Sequence, residues 1–210
     1  MKDSKGIKFD KMAATYDEGI EGKASKKFYN LLLKQLEPCQ GATILDVGCG
    51  TGTILKSLSD RTDINGYGID VEENMVLEAK QKCLGMDIFV SDCIKTPFAD
   101  NQFDIVTSCM AYHHFADKKG FAKEVSRIIK PGGHLYITDP RFPWLIRKPL
   151  NLALRLHKIT GHFGTPKEIE KVFLEYGFEF VDCNFDLYAQ CVKLRKTDKR
   201  TMDSGRIQNT

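Results

Sequence analysis

Ile44-Leu45-Asp46-Val47-Gly48-Cys49-Gly50-Thr51-Gly52 decides the fold. A short apolar run leads directly into three glycines at alternate positions, and helical spacing resumes at Thr53 and runs to Leu58. Glycine tolerates positive φ and lets a ligand approach the backbone closely. A helix N-terminus behind such a turn offers N–H groups to an anion, either a phosphate or an amino-acid carboxylate. Asp70 ends the next apolar run, 18 residues beyond Gly52 (70 − 52). In a doubly wound fold an acid at that place bonds ribose hydroxyls, so the ligand is expected to carry a ribose.

Reading outward, strands and helices alternate. Strands are expected at 43–47, 64–71, 87–90, 103–109 and 134–139. Helices are expected at 28–36, stopping near Pro38, and at 53–58, 73–83 and 120–129. The last of these is closed by Lys130-Pro131-Gly132-Gly133. Thr165-Pro166-Lys167-Glu168 has the residues of a capping box with proline in the first turn, and the helix it opens ends at Gly177. Two closing runs, 178–185 and 187–194, are too near each other for a helical crossover and imply one antiparallel strand. The expected class is α/β: a doubly wound, Rossmann-like sheet, mostly parallel, with helices on both faces.

The glycines do not spell a dinucleotide site. The fingerprint G-x-G-x-x-G places Thr53 where a third glycine belongs, and no lysine follows the turn as in a phosphate-binding Walker loop.

The chain resembles the class I S-adenosylmethionine (SAM) dependent methyltransferases, and among them the enzymes of the ubiquinone/menaquinone-biosynthesis type. Five segments carry the likeness in order: Asp46 to Gly52; Tyr67-Gly68-Ile69-Asp70 with Met75; Ser91-Asp92-Cys93 with Pro97-Phe98; Phe103-Asp104-Ile105-Val106 through His113-His114-Phe115; and Arg127 to Gly133. The resemblance spans about residues 9–195 and implies a seven-stranded sheet whose last strand is antiparallel. It implies a single domain over 1–196, with cofactor-covering helices in 1–40 and a substrate lid inserted at 141–164, while residues 197–210 are polar and aperiodic and are expected to form a loose tail. It also implies roles. Gly48, Cys49, Gly50 and Gly52 would hold the methionine part of SAM, with Asp46 on its amino group. Asp70 and the following Val71 would hold the ribose, with Met75 near the adenine. Asp92 would accept from the adenine amino group, and Cys93 would offer its backbone N–H. Phe9-Asp10 and Tyr16-Asp17 are similar to an N-terminal segment that folds over the cofactor. S-adenosylhomocysteine would be the product.

Methyl transfer from a sulfonium is an in-line displacement that needs positioning, and a base when the nucleophile is a hydroxyl or an acidic carbon. His113 is the expected base, and Tyr112, Arg141 and Trp144 are expected to touch the acceptor. Residues 141–164 contain Arg141, Arg147, Lys148, Arg155 and Lys158 and no acid. That suits an anionic or amphipathic small-molecule acceptor, or a surface-seeking helix.

Composition bounds the rest. The 210 residues are 42% hydrophobic and 28% charged, with a formal net charge of +3, which suits one globular domain and gives no footprint for nucleic acid. Seven cysteines without a C-x-x-C pair argue against a disulfide framework and against a zinc site, so no metal is expected. No run spans a bilayer, and residues 1–11 lack the apolar stretch of a signal peptide, so a cytoplasmic setting is expected. A non-catalytic SAM-binding module and a nucleotide-dependent oxidoreductase are the competing readings.

Overall fold

The computed structural model describes residues 13–198. Phe9, Asp10 and most of the expected tail, 199–210, lie outside them. After a 3₁₀ turn (Ala13–Thr15), the elements are α1 (Ile20–Gln35), β1 (Ala42–Val47), α2 (Thr53–Ser59), β2 (Ile64–Asp70), α3 (Glu73–Lys82), β3 (Asp87–Val90) and β4 (Phe103–Cys109). There follow a 3₁₀ turn (Tyr112–His114), α4 (Lys118–Ile128), β5 (Ile129–Pro140), α5 (Trp144–Leu156), α6 (Pro166–Leu174), β6 (Phe178–Asp186) and β7 (Ala189–Lys196).

The seven strands form one sheet in the order β3-β2-β1-β4-β5-β7-β6. The first five run parallel, and β7 inserts antiparallel between β5 and β6. Alternate side chains of each strand feed opposite faces. Ile44 and Ile105 point to the face covered by α1, α2 and α3, with Leu32, Leu55 and Ala79. Leu45 and Val106 point to the face covered by α4 and α6, with Phe121, Ile128 and Phe173. α5 joins neither layer and has no buried residue.

Local chemistry explains several boundaries. The Thr165 capping box is present in full, with Thr165 Oγ1 accepting from the Glu168 N–H and Glu168 reaching back to the Thr165 N–H. Asp117 caps α4 by accepting from the Gly120 N–H, which starts that helix at Lys118, two residues before the expected 120. Two differences are larger. β5 begins at Ile129 instead of His134, because Gly132, at φ +79°, absorbs a bulge that lets Lys130-Pro131-Gly132-Gly133 stay in the strand. α1 begins at Ile20, eight residues before the expected start, although the apolar face of that extension is sparse.

Candidate active site

The glycine turn and the ends of β1, β2, β4 and β5 meet at the carboxyl edge of the sheet, beside the point where strand order reverses between β1 and β4. The turn is folded mainly on itself. The N–H groups of Gly48 and Cys49 donate to Ile69 O, Gly52 N–H donates to Cys49 O, and Gly50 N–H donates to Asp70 Oδ2 at 2.9 Å. These four N–H groups are therefore committed within the protein, and the turn is a rigid floor more than an open anion nest. Gly48 has φ +73°, and a Cβ there would lie 2.4 Å from Ala111 Cβ, so only glycine fits. A Cβ at Gly50, by contrast, would meet nothing within 4 Å. Among the described residues the floor faces open space at that point.

Two carboxylates border the floor. Asp46 is 2% exposed and accepts from Thr107 Oγ1 at 2.7 Å. Burial pushes its pKa up to about 7, against the opposing bond from Thr107 and with help from the charge of Asp70. Asp70 is raised by burial as well, offset by backbone N–H groups that include those of Glu72 and Gly50. Both carboxylates also help raise the Cys49 thiol, after its burial. A pyrophosphate would be repelled here. A ligand bearing a cationic amino group and ribose hydroxyls would instead relieve the two acids.

The N-terminal segment latches onto this turn. Asp17 accepts from Thr51 Oγ1 at 3.0 Å to each carboxylate oxygen and from Thr53 Oγ1 at 3.3 Å, and pairs with the Lys82 ammonium. Tyr16 lies 3.4 Å from Ser25 through their hydroxyls. The backbone reaches this position because residue 22 is glycine. A Cβ at Gly22 would lie 2.2 Å from Tyr16 O.

At β4 and β5 the structure makes a pair that sequence reading missed in part. His113 Nδ1 lies 2.9 Å from Asp139 Oδ1, with both side chains buried. Met110, at φ +58°, turns the chain out of β4 toward His113. The His113 ring stacks on Phe163, with centroids 5.0 Å apart and planes at 22°, and it touches the His114 ring. His113 O accepts from His162 N–H at 2.8 Å, and Gln190 Nε2 donates to Gly164 O at 2.7 Å. Residues 160–164 are thereby laid across the histidine. A cleft of about 480 Å³ opens beside them, lined by residues 115–119 and 160–162.

The remaining expected residues are dispersed. Asp92 is exposed and caps its own loop by accepting from Ile94 N–H at 3.0 Å. The half-buried Cys93 thiol is pushed up to about 12, chiefly by burial. Val71 is exposed at the rim, and Met75 is buried beneath it in α3. Tyr112 is packed in the core against Phe115, Phe121 and Phe173 and does not line the cleft. Arg141 sits over the Phe185 ring, and Trp144 is largely exposed on α5 with Lys148 over its ring. Neither side chain is brought to His113. Asp139 ends an expected strand and Phe163 lies in the expected lid, so their positions were visible but their pairing was not. Lys82 had no signal beyond helical spacing.

A family model described as a methyltransferase domain matches residues 45–137. The demethylmenaquinone methyltransferase of Bacillus licheniformis is 30% identical over 178 residues, which cover 81% of this chain and 76% of that protein. Nocamycin O-methyltransferase of Saccharothrix syringae is 32% identical over 148 residues, covering 67% of this chain and 52% of that protein. A solved SAM-dependent methyltransferase from Aquifex aeolicus shares the fold, with a TM-score of 0.69 at 22% identity, over 90% of this chain and 97% of that one.

Proposed function

The chain belongs to the class I SAM-dependent methyltransferases, and we propose that it methylates a small-molecule acceptor held between the glycine turn and residues 160–164, with His113 as the base. The observation that carries this reading is the buried His113–Asp139 pair at the same sheet edge as Asp46 and Asp70.

When bound, SAM would supply an electrophilic methyl group on a cationic sulfonium, with neutral S-adenosylhomocysteine as the leaving group. The residues fit that group by charge. Asp46 would take the amino group, and Asp70, which already clamps Gly50, would present its carboxylate to the ribose. Gly48, Cys49, Gly50 and Gly52 would form the floor, Val71 at the rim would face the nucleoside with Met75 packed beneath it, and Asp92 with Cys93 would edge the adenine. The segment carrying Tyr16 and Asp17, latched to Thr51 and Thr53, would cover the cofactor.

Asp139 accepts from His113 Nδ1–H, which fixes the tautomer and leaves Nε2 to take a proton from an acceptor hydroxyl or acidic carbon. Phe163, stacked on the imidazole, shields the pair from water. All seven cysteines are free thiols, and a reducing cytoplasm suits them.

Calorimetric titration with SAM, S-adenosylhomocysteine and NAD, repeated on Asp70→Ala, tests the cofactor assignment. Binding of both adenosyl ligands, weakened by the substitution, supports it. Binding of NAD alone overturns it in favour of an oxidoreductase. Adenosyl binding with no turnover across a screen of phenols, hydroquinones and amines would make the chain a SAM-binding module without catalysis.

A further inference from the structure

α5 has one face turned inward and one turned out, and among the described residues the outer face has no partner. Arg147, Leu150, Asn151 and Leu154 are half-buried at the i, i+3, i+4, i+7 spacing of a single stripe. They anchor the helix: Asn151 exchanges two hydrogen bonds with the Phe163 backbone, each 3.0 Å, and Arg147 pairs with Glu168 at 2.7 Å. On the opposite side Leu145, Pro149, Leu152 and Leu156 follow i, i+4, i+7, i+11. The three leucines are 66%, 52% and 71% exposed.

Charge runs beside this stripe. Trp144, Lys148 and Arg155 share its flank at i, i+4 and i+11, with the Lys148 ammonium 5.6 Å from the Trp144 ring centroid. Residues 141–164 contain five Lys and Arg and no acid. The turn between β6 and β7 continues the same edge. Arg141 N–H donates to Tyr188 O, and its guanidinium lies 4.4 Å from the Phe185 ring centroid. Leu187 at the tip of that turn is 73% exposed and held at φ +49°.

An apolar stripe with a basic, tryptophan-bearing flank, on a helix too short to cross a bilayer, matches a helix that lies in a membrane interface. A second copy of the chain is a poorer occupant. It would bring Lys148 and Arg155 of both copies to one seam with no acid in the segment to offset them.

We propose that α5 docks the protein on an anionic lipid surface, with Leu145, Leu152 and Leu156 in the acyl boundary and Lys148 and Arg155 among the headgroup phosphates. The cleft lined by residues 115–119 and 160–162 follows the C-terminal end of α5, so docking sets it beside the bilayer. Acceptors that partition into lipid then reach His113 without crossing bulk water. The docking itself does not depend on methyl transfer, and it is measured separately.

The test is flotation of the full chain with vesicles of phosphatidylcholine, alone or mixed with phosphatidylglycerol. The wild type is expected to float with the mixed vesicles and to be released by about 0.5 M salt, where screening lengths shrink to a few ångströms. Leu145→Ser/Leu152→Ser/Leu156→Ser is expected to lose about ten-fold or more of that partitioning, and so is Lys148→Glu/Arg155→Glu. Both variants should bind SAM as the wild type does and keep its circular dichroism, which shows that they fold. Wild type that ignores phosphatidylglycerol, or a leucine variant that floats equally well, overturns the proposal. So does a wild-type dimer in the ultracentrifuge that the leucine substitutions convert to monomer while vesicle binding is absent.

Discussion

His113 Nδ1 lies 2.9 Å from Asp139 Oδ1, and the two side chains are 6% and 3% exposed. The residues are 26 positions apart and come from adjacent strand ends, so the pair exists only because β4 and β5 lie side by side. Asp139→Asn keeps the volume but faces Nδ1 with an amide that favours the other tautomer. The expected result is a kcat lower by about 10²–10⁴-fold, the usual contribution of general acid–base catalysis. SAM affinity should be unchanged. A loss confined to SAM affinity would instead make Asp139 a structural residue of the cofactor floor.

Asp46 predicts a proton linkage. Burial raises its pKa from 3.8 to about 7, so the folded protein without ligand holds a proton across that interval that the unfolded chain has lost. Its contribution to stability is full below pH 4 and is lost as pH rises toward 7. A cationic amino group beside it favours the carboxylate, so SAM binding should release a proton near pH 6 to 7 and strengthen as pH rises through that range. Calorimetry in buffers of different ionisation enthalpy reads the proton count. Thr107→Val removes the 2.7 Å bond to the carboxylate and should weaken SAM by about ten-fold at neutral pH, the scale of a hydrogen bond to a charged group.

Gly22 lies inside α1, where alanine would ordinarily favour the helix by about 1 kcal/mol. Its Cβ, however, would fall 2.2 Å from Tyr16 O and 2.7 Å from Asp17 Cα. Gly22→Ala should therefore displace the segment that carries Asp17 off Thr51, Thr53 and Lys82. Stopped-flow dissociation of SAM should be several-fold faster. Asp17→Asn should move in the same direction. Unchanged dissociation in both would show that this contact does not cover the cofactor.

Thr165→Ala removes the cap of α6 and should cost about 1 kcal/mol of stability in urea denaturation. The loss should be accompanied by weaker acceptor binding, because Glu168 of the capping box also holds Arg147 of α5. SAM binding should be unaffected.

The parallel sheet and the glycine turn were legible in the sequence because both are local. Apolar runs of strand length, separated by helical spacing, dictate βαβ units, and Gly48 must be glycine for reasons of φ and contact. The capping box at Thr165 was legible for the same reason, since all its atoms lie within four residues. The early start of α1 was not, because its first turns lack an apolar stripe. The bulge that keeps Gly132 inside β5 was not, because it is set by pairing with β4.

What the sequence alone determined is the fold, the glycine turn and the two acids Asp46 and Asp70 that border it. Each follows from residues within one strand–turn–helix unit or at the end of the next strand. Tertiary structure decided which partners those residues meet. It buried Tyr112 in the core, where the sequence suggested a pocket wall, and gave His113 to Asp139 and Phe163. It tied Asp17 to Lys82 across 65 residues, and it turned Leu145, Leu152 and Leu156 of α5 outward while Leu150 and Leu154 face the protein. Such pairings depend on strand order and on which helix face finds a neighbour, and neither is written in local spacing.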